Sequence, residues 1–271
     1  MMVESIDALT SNSCAGPTTT DPKPSRTEGG RRCRAISTSD KPRISVITVV
    51  YNGAEHLAAT IESVLALKTD LVEYLVIDGG STDGTVELLS QYEDQLDYWV
   101  SECDAGIYDA MNKGIRLARG DYIHHLNIGD KLLSIPAALS VNLPQSTAGL
   151  AACVLIGNES LHKPSSGLAL RLHNTLHHQG CFYRRTVDLH YDTRYRVFAD
   201  FDLNQRLVQS GQRFVLSDDI VASHDQGGVS HNGRHFHEVF EIVKTNQGLF
   251  WLMASFLYFK LRGLFRRIHL A

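Results

Sequence analysis

Hydrophobic positions show no period over the first 41 residues, where Ser, Thr, Pro, Gly and Arg predominate. Such a segment buries too little apolar surface to offset the entropy of ordering, so residues 1–41 are expected to form a disordered leader. The pattern changes at Ile44. From there to Val50 the chain is an unbroken, largely β-branched run, with the length and continuity of a strand buried on both faces. Tyr51, Asn52 and Gly53 end it in a turn. Leu57, Ile61, Val64 and Leu65 recur at helical spacing, and a second apolar strand at 74–77 runs into Asp78, Gly79 and Gly80. The alternation continues with a helix over about 85–92, a strand at 98–100, a helix over about 107–118 stopped by Gly120, and a strand at 122–126. Strands alternating with helices predict an α/β fold built on a mostly parallel sheet covered on both faces.

Beyond Asp130 the pattern weakens, with apolar stretches near 151–156, 181–183 and 214–221 and a helix near 201–209. The expected organisation is a leader (1–41), a domain over 42–240 with halves at about 42–131 and 132–240, and a C-terminal amphipathic helical segment over 241–271. In that last segment an aromatic and apolar run, Leu249 to Phe259, precedes Lys260, Arg262, Arg266 and Arg267. It is shorter than the roughly 20 residues that span a bilayer. It therefore either lies in a membrane interface, with its cations toward anionic headgroups, or caps the core.

Composition narrows the classes. The 271 residues, 43% hydrophobic, suffice for one large core. A formal net charge of -4 supplies no general field for a polyanion, and nucleic acid is not an expected partner. Cysteines at 14, 33, 103, 153 and 181 form no C-x-x-C pair and no zinc spacing, which points to a reducing compartment. The N-terminus has no secretory apolar core. A cytoplasmic location is expected, peripheral to the inner membrane face if residues 249–267 touch lipid.

In an open parallel sheet, ligands bind beyond the carboxyl ends of the strands. Those ends carry Tyr51 and Asn52, then Asp78, then Asn127 to Asp130. A carboxylate only accepts, so if Asp78 reads a base it needs an imino N–H, which uracil, thymine and guanine possess. Asp78 serves equally as an Asx turn or helix cap. Asp130 is either a turn residue or a hard oxygen ligand that would hold a divalent cation against a diphosphate. Asp200 and Asp202 precede a helical pattern, where one caps the helix and the other faces a site; a carboxylate beside an acceptor hydroxyl acts as a general base.

The segments Ile44 to Asn52, Val76 to Thr85 and Ser101 to Gly114 together resemble the family 2 glycosyltransferases, with exopolysaccharide enzymes of the colanic-acid type the nearest group. The resemblance extends through Leu126 to Asp130, His178 and Gln179, the Asp200 segment and Gly227 to Ser230, over roughly residues 43–235. It implies a GT-A fold, a nucleotide-diphosphate sugar donor, Mn2+ or Mg2+, inversion at the anomeric carbon and a lipid-linked glycan acceptor. Asp200 resembles the catalytic base and Asp130 the metal aspartate. Asp78 resembles the base-reading residue and Tyr51, with Asn52, the nucleoside contact. Asp104, Gly106, Asn112 and Lys113 fall on the donor side, and His178 and Gln179 on the acceptor side. The metal motif has one acid, Asp130, where many relatives carry two, so the donor diphosphate would complete the shell. Cys103 stands where proline is usual. His224 either completes the metal shell or is structural, and His173 with His177 has the i, i+4 spacing of a zinc pair without a third ligand in register.

Two other classes remain open from sequence: a nucleotidyltransferase, for which the chain has no Gly-rich basic loop after Val50, and a non-catalytic nucleotide- or glycan-binding protein of the same fold.

Overall fold

The structure, a computed structural model, describes residues 26–34, 42–157, 160–224 and 234–268, with side chains through residue 262. The strands are β1 (Thr27–Gly29), β2 (Ile44–Val50), β3 (Val72–Asp78), β4 (Tyr98–Ser101), β5 (Tyr122–Asn127), β6 (Lys131–Leu132), β7 (Thr147–Ile156), β8 (Ser160–His162), β9 (Cys181–Arg184) and β10 (Arg213–His224). They form one sheet in the order β1-β4-β3-β2-β5-β9-β7-β10-β6, with β8 on β7. β4, β3, β2 and β5 run parallel, as do β7 and β10, while β9 fits antiparallel between β5 and β7. The helices are α1 (Ala54–Leu65), α2 (Thr85–Gln91), α3 (Ile107–Leu117), α4 (Ala199–Gln209), α5 (His237–Gln247) and α6 (Leu249–Ile268).

Every residue of β2 is buried because the sheet is covered twice. Successive side chains of a strand point to opposite faces. Val46 and Val50 pack with Leu57, Ile61 and Val64 of α1 and Leu89 of α2, whereas Ile47 and Val49 pack with Met111 of α3, Phe201 of α4 and Ile242 of α5. Gly114 lets α3 approach closely, since a Cβ there would lie 2.5 Å from Ile47 Cγ2.

Three features differ from expectation. Within the leader, Arg26–Arg34 is ordered: β1 pairs antiparallel with β4, and Arg32 forms a buried ion pair with Glu73. Residues 1–25 and 35–41 lie outside the described residues, as do Gly227 to Ser230. The boundary expected near 131 falls within β6, which pairs with β10, so both halves share one sheet. The boundary expected at 240 falls inside α5; the chain turns instead at Gly248, with φ 87°.

Helix α6 folds back on α5, stacking Phe256 on Phe240 at 4.0 Å, and presses Trp251, Leu252 and Phe259 onto the core. Its other side leaves Phe250, Met253, Leu249 and Leu257 more than half exposed. Among the described residues no helix is long and apolar enough to cross a membrane.

Candidate active site

Because β2, β3, β4 and β5 are parallel, their carboxyl ends meet on one edge. Asp78 ends β3, fully buried, and its Oδ2 accepts from the amides of Gly80 (3.1 Å) and Ser81 (3.0 Å) and from Ser101 Oγ (2.6 Å). The Ser81 hydroxyl donates to Oδ1. The turn role is thus present in full, and the carboxylate is the hub of the loop. Asn52, at φ 47°, adopts the left-handed conformation that Asn tolerates. Its amide donates to Ser81 Oγ (2.7 Å) and its Oδ1 accepts from Thr82 N (2.9 Å), tying the loop after β2 to the loop after β3. Tyr51, half-buried, sits on the rim next to this tie.

After β4, Asp104 accepts from the amide of Gly106 at 2.8 Å, and burial lifts its carboxyl above the ordinary value against that hydrogen bond and the charge of Lys113. Gly106 precedes α3 at φ 120°, a backbone state that suits glycine. Lys113 is ion-paired with Glu102 (3.0 Å). Asn112 is placed differently from expectation. It is buried and clasps the main chain of Tyr191, donating to its carbonyl (2.8 Å) and accepting from its amide (2.9 Å). With both ends of its amide committed, Asn112 holds the segment before α4 and is withdrawn from the donor contacts.

At the end of β5, the loop to Asp130 meets the end of β10. His224 Nδ1 lies 3.2 and 3.1 Å from the two Asp130 oxygens, and Gln179 Nε2 donates to Asp130 Oδ2 at 2.5 Å. Gln179 is fully buried here, so it supports Asp130 rather than facing an acceptor. Its neighbour His178, on the same 3-10 turn (His178–Gly180), contacts Asn127 Nδ2 (3.0 Å) and points Nδ1 at Asp200 Oδ2 (3.8 Å). Asp200 stands in the first turn of α4, where its Oδ1 accepts from Phe201 N (2.8 Å) and its Oδ2 from Asn174 Nδ2 (2.9 Å). Asp202 turns away, to Arg206 (2.8 Å) and Asn246 (2.9 Å). The two carboxylates are thereby separated: Asp200 lies beside Asn174 and His178, and Asp202 braces the helices.

His173 and His177 do not form a zinc pair. His173 stacks on Tyr258 of α6 at 4.7 Å, and His177 stacks on His178 at 5.0 Å. Among the described residues, no cluster of three or more His, Cys, Asp or Glu is arranged to hold a metal ion. Asp130 and His224 face each other, with Gln179 donating to Asp130. Beneath them, in β5, burial lowers His124 to about 4 and His125 to about 3, which keeps both imidazoles neutral.

Loops at one edge of a parallel sheet, a buried aspartate hub, an Asp–His pair and a further carboxylate define the class: an α/β protein whose polar groups gather beyond the carboxyl ends of its strands. Residues 45–127 match the model of the glycosyl transferase family 2. An uncharacterized glycosyltransferase of Mycobacterium tuberculosis is 45% identical over 91 residues, a match spanning 33% of this chain and 35% of that one. A PGL/p-HBAD biosynthesis glycosyltransferase of Mycobacterium bovis is 30% identical over 220 residues, spanning 70% of this chain and 79% of the relative. Among solved structures, the mannosyltransferase PcManGT from Pyrobaculum calidifontis, in complex with GDP-Man and Mn2+, superposes with a TM-score of 0.56 at 17% identity, covering 75% of this chain and 64% of that one. The chain belongs to glycosyl transferase family 2, and its fold is of the GT-A type.

Proposed function

We propose that the chain is an inverting glycosyltransferase that moves a sugar from a UDP, GDP or dTDP donor to a hydroxyl of a lipid-linked surface glycan such as an exopolysaccharide. The observation that carries this reading is the turn at His178 and Gln179, which sets one side chain 3.8 Å from Asp200 and hydrogen-bonds the adjacent one to Asp130. One short element thus sets the spacing between a carboxylate suited to the diphosphate and one suited to the attacking hydroxyl.

On this reading Tyr51, Asp78, Asp104 and Gly106 shape the donor cleft, and Lys113, shared with Glu102, lies on its flank. Asp130 and His224 would hold the divalent ion. The fit rests on chemistry: a carboxylate oxygen and an imidazole nitrogen face each other at about hydrogen-bond distance, a donor set better suited to Mn2+ than to Mg2+. Bound there, the ion supplies charge that stabilises the leaving diphosphate. Gln179 orients Asp130. Asp200 takes the proton of the acceptor hydroxyl as that oxygen attacks the anomeric carbon and the bond to the diphosphate breaks, so configuration inverts.

The outer face of α6 fits a bilayer surface close to the acceptor. No Asp or Glu follows Glu241, whereas Lys244, Lys260, Arg262, Arg266 and Arg267 do, which favours anionic headgroups as the surface met by the exposed Phe250, Met253 and Leu257. The test is calorimetry with UDP, GDP, dTDP, CDP and ADP, each with and without Mn2+. Metal-assisted binding of one imino-bearing nucleotide supports the reading; binding of none favours a protein that has kept the fold without turnover.

A further inference from the structure

Asn174 belongs to none of the motifs and lies in a segment without regular structure, yet it makes the closest side-chain contact to Asp200. Its amide has a defined orientation. Oδ1 accepts from Leu176 N at 3.3 Å, which leaves Nδ2 to donate to Asp200 Oδ2 at 2.9 Å. Phe201 N fixes the other carboxylate oxygen, so the group is gripped from two elements. His178 stands 3.8 Å away, beyond hydrogen-bond range.

The residues just before Asn174 are fastened to α6. Ser255 Oγ, fully buried, donates to the Leu172 carbonyl at 2.8 Å, and His173 stacks on Tyr258 with its ring nearly parallel, at 6°. Thr175, just after it, hydrogen-bonds to the Ser165 carbonyl. Asn174 is therefore held on both sides by contacts unconnected with Asp200. A side chain held in this way sets the geometry of the group it touches, because misplacement of a reacting group by about 1 Å can cost on the order of 100-fold in rate.

We propose that Asn174 is a positioning residue for Asp200, and that the inner face of α6 fixes it there. This rests on Asp200 being the base. The carboxylate has few stops of its own: with the Asn174 donor gone, only the Phe201 N–H still holds it by a hydrogen bond, and one bond to one oxygen resists a turn of the whole group about Cβ–Cγ less than two bonds to both. Helix α6 then does two jobs, one on each face. Its outer side is the candidate lipid contact, and its inner side carries the segment that aims the base.

The test uses the full chain with Asn174→Asp and Asn174→Ala. The aspartate variant keeps the size of the side chain and the acceptor for Leu176 N but sets a second carboxylate against Asp200, so the uncharged alanine variant carries the test of positioning and the aspartate variant measures the added repulsion. The first measurement is a crystal structure of each. The second is release of nucleotide diphosphate from GDP-mannose, UDP-N-acetylglucosamine and dTDP-glucose with Mn2+, repeated in an Asp200→Asn background as a double-mutant cycle. The expected result is an Asp200 carboxylate turned from its present position, donor affinity within about twofold of the parent, kcat lowered about 10- to 100-fold, and no further loss when Asp200 is already Asn. An Asp200 that stays in place overturns the proposal whatever the rates, and so does an equal loss in the Asp200→Asn background, which would show a role in folding alone. Parental turnover by Asp200→Asn by itself would be a different failure: it removes the base, and the positioning role with it.

Discussion

Lowering the pH from 7.5 to 5 should cost the fold about 4 kcal/mol through two residues, His124 and His125. Both are fully buried in β5, and burial lowers their pKa values from 6.5 to about 4 and about 3. His124 lies face to face with Phe182 at 4.3 Å, and its Nδ1 serves the Cys181 carbonyl at 3.1 Å, leaving Nε2 with no partner among the described residues. A proton added there would create a buried, unpaired charge. The unfolded chain binds protons at both sites as the pH falls below 6.5, whereas the native state binds them only near 4 and 3. Stability is therefore complete above 6.5 and declines with falling pH through that window. At pH 5 the gap is about 1.5 units per residue, or roughly 2 kcal/mol each. Urea unfolding at both pH values, for the parent and for His124→Gln and His125→Gln, measures this. Each amide is neutral at every pH, so each variant should lose roughly 2 kcal/mol less than the parent between pH 7.5 and 5. Equal losses in parent and variants would show that the acid sensitivity arises elsewhere and refute the argument.

Removing a ligand from the Asp–His pair, by Asp130→Asn or His224→Ala, should weaken Mn2+-dependent nucleotide affinity at least about tenfold and leave metal-free affinity nearly unchanged in calorimetry. Asp200→Asn should keep donor affinity and lower transfer by about 10²- to 10⁴-fold in a nucleotide-release assay. Asn112→Ala removes two buried hydrogen bonds to Tyr191 and should cost about 3 kcal/mol in urea unfolding, with donor affinity of the folded protein preserved. Replacing Met253 and Leu257 with Asp should abolish sedimentation with phosphatidylserine vesicles without changing the Tm; unchanged sedimentation would exclude the outer face of α6 as the contact.

The parallel half of the sheet was legible because β2 and β3 bury both faces and so read as unbroken apolar runs, and the acids at their ends stood out. Asp130 could be picked out as a candidate in the same way, whereas Asp200 stood out ahead of a helical pattern and took its role from the family resemblance. The partner of Asp130 was harder to see. His224 lies far along the chain at the end of β10, a strand with register shifts against β7 and a mixed burial pattern, so its arrival beside Asp130 depends on pairing that no local pattern encodes. Asn112 shows the opposite difficulty: helical spacing put it on a definite face of α3, but what that face meets, the Tyr191 main chain, is a tertiary contact. Asn174 had no signal at all. It is a single amide in an irregular segment, and only the folded geometry gives it a neighbour.

The short strand β1 has a practical consequence for anyone shortening this protein. Cutting at residue 41, as the composition of the leader invites, would strip the outermost partner from β4 and expose the backbone of Trp99, Val100 and Ser101 as an open edge. It would also remove Arg32 from Glu73 and leave that carboxylate buried without its cation. Open edges recruit other chains edge to edge. The trimmed protein should therefore lose solubility before it loses its site, with aggregation that can be mistaken for a defect in catalysis.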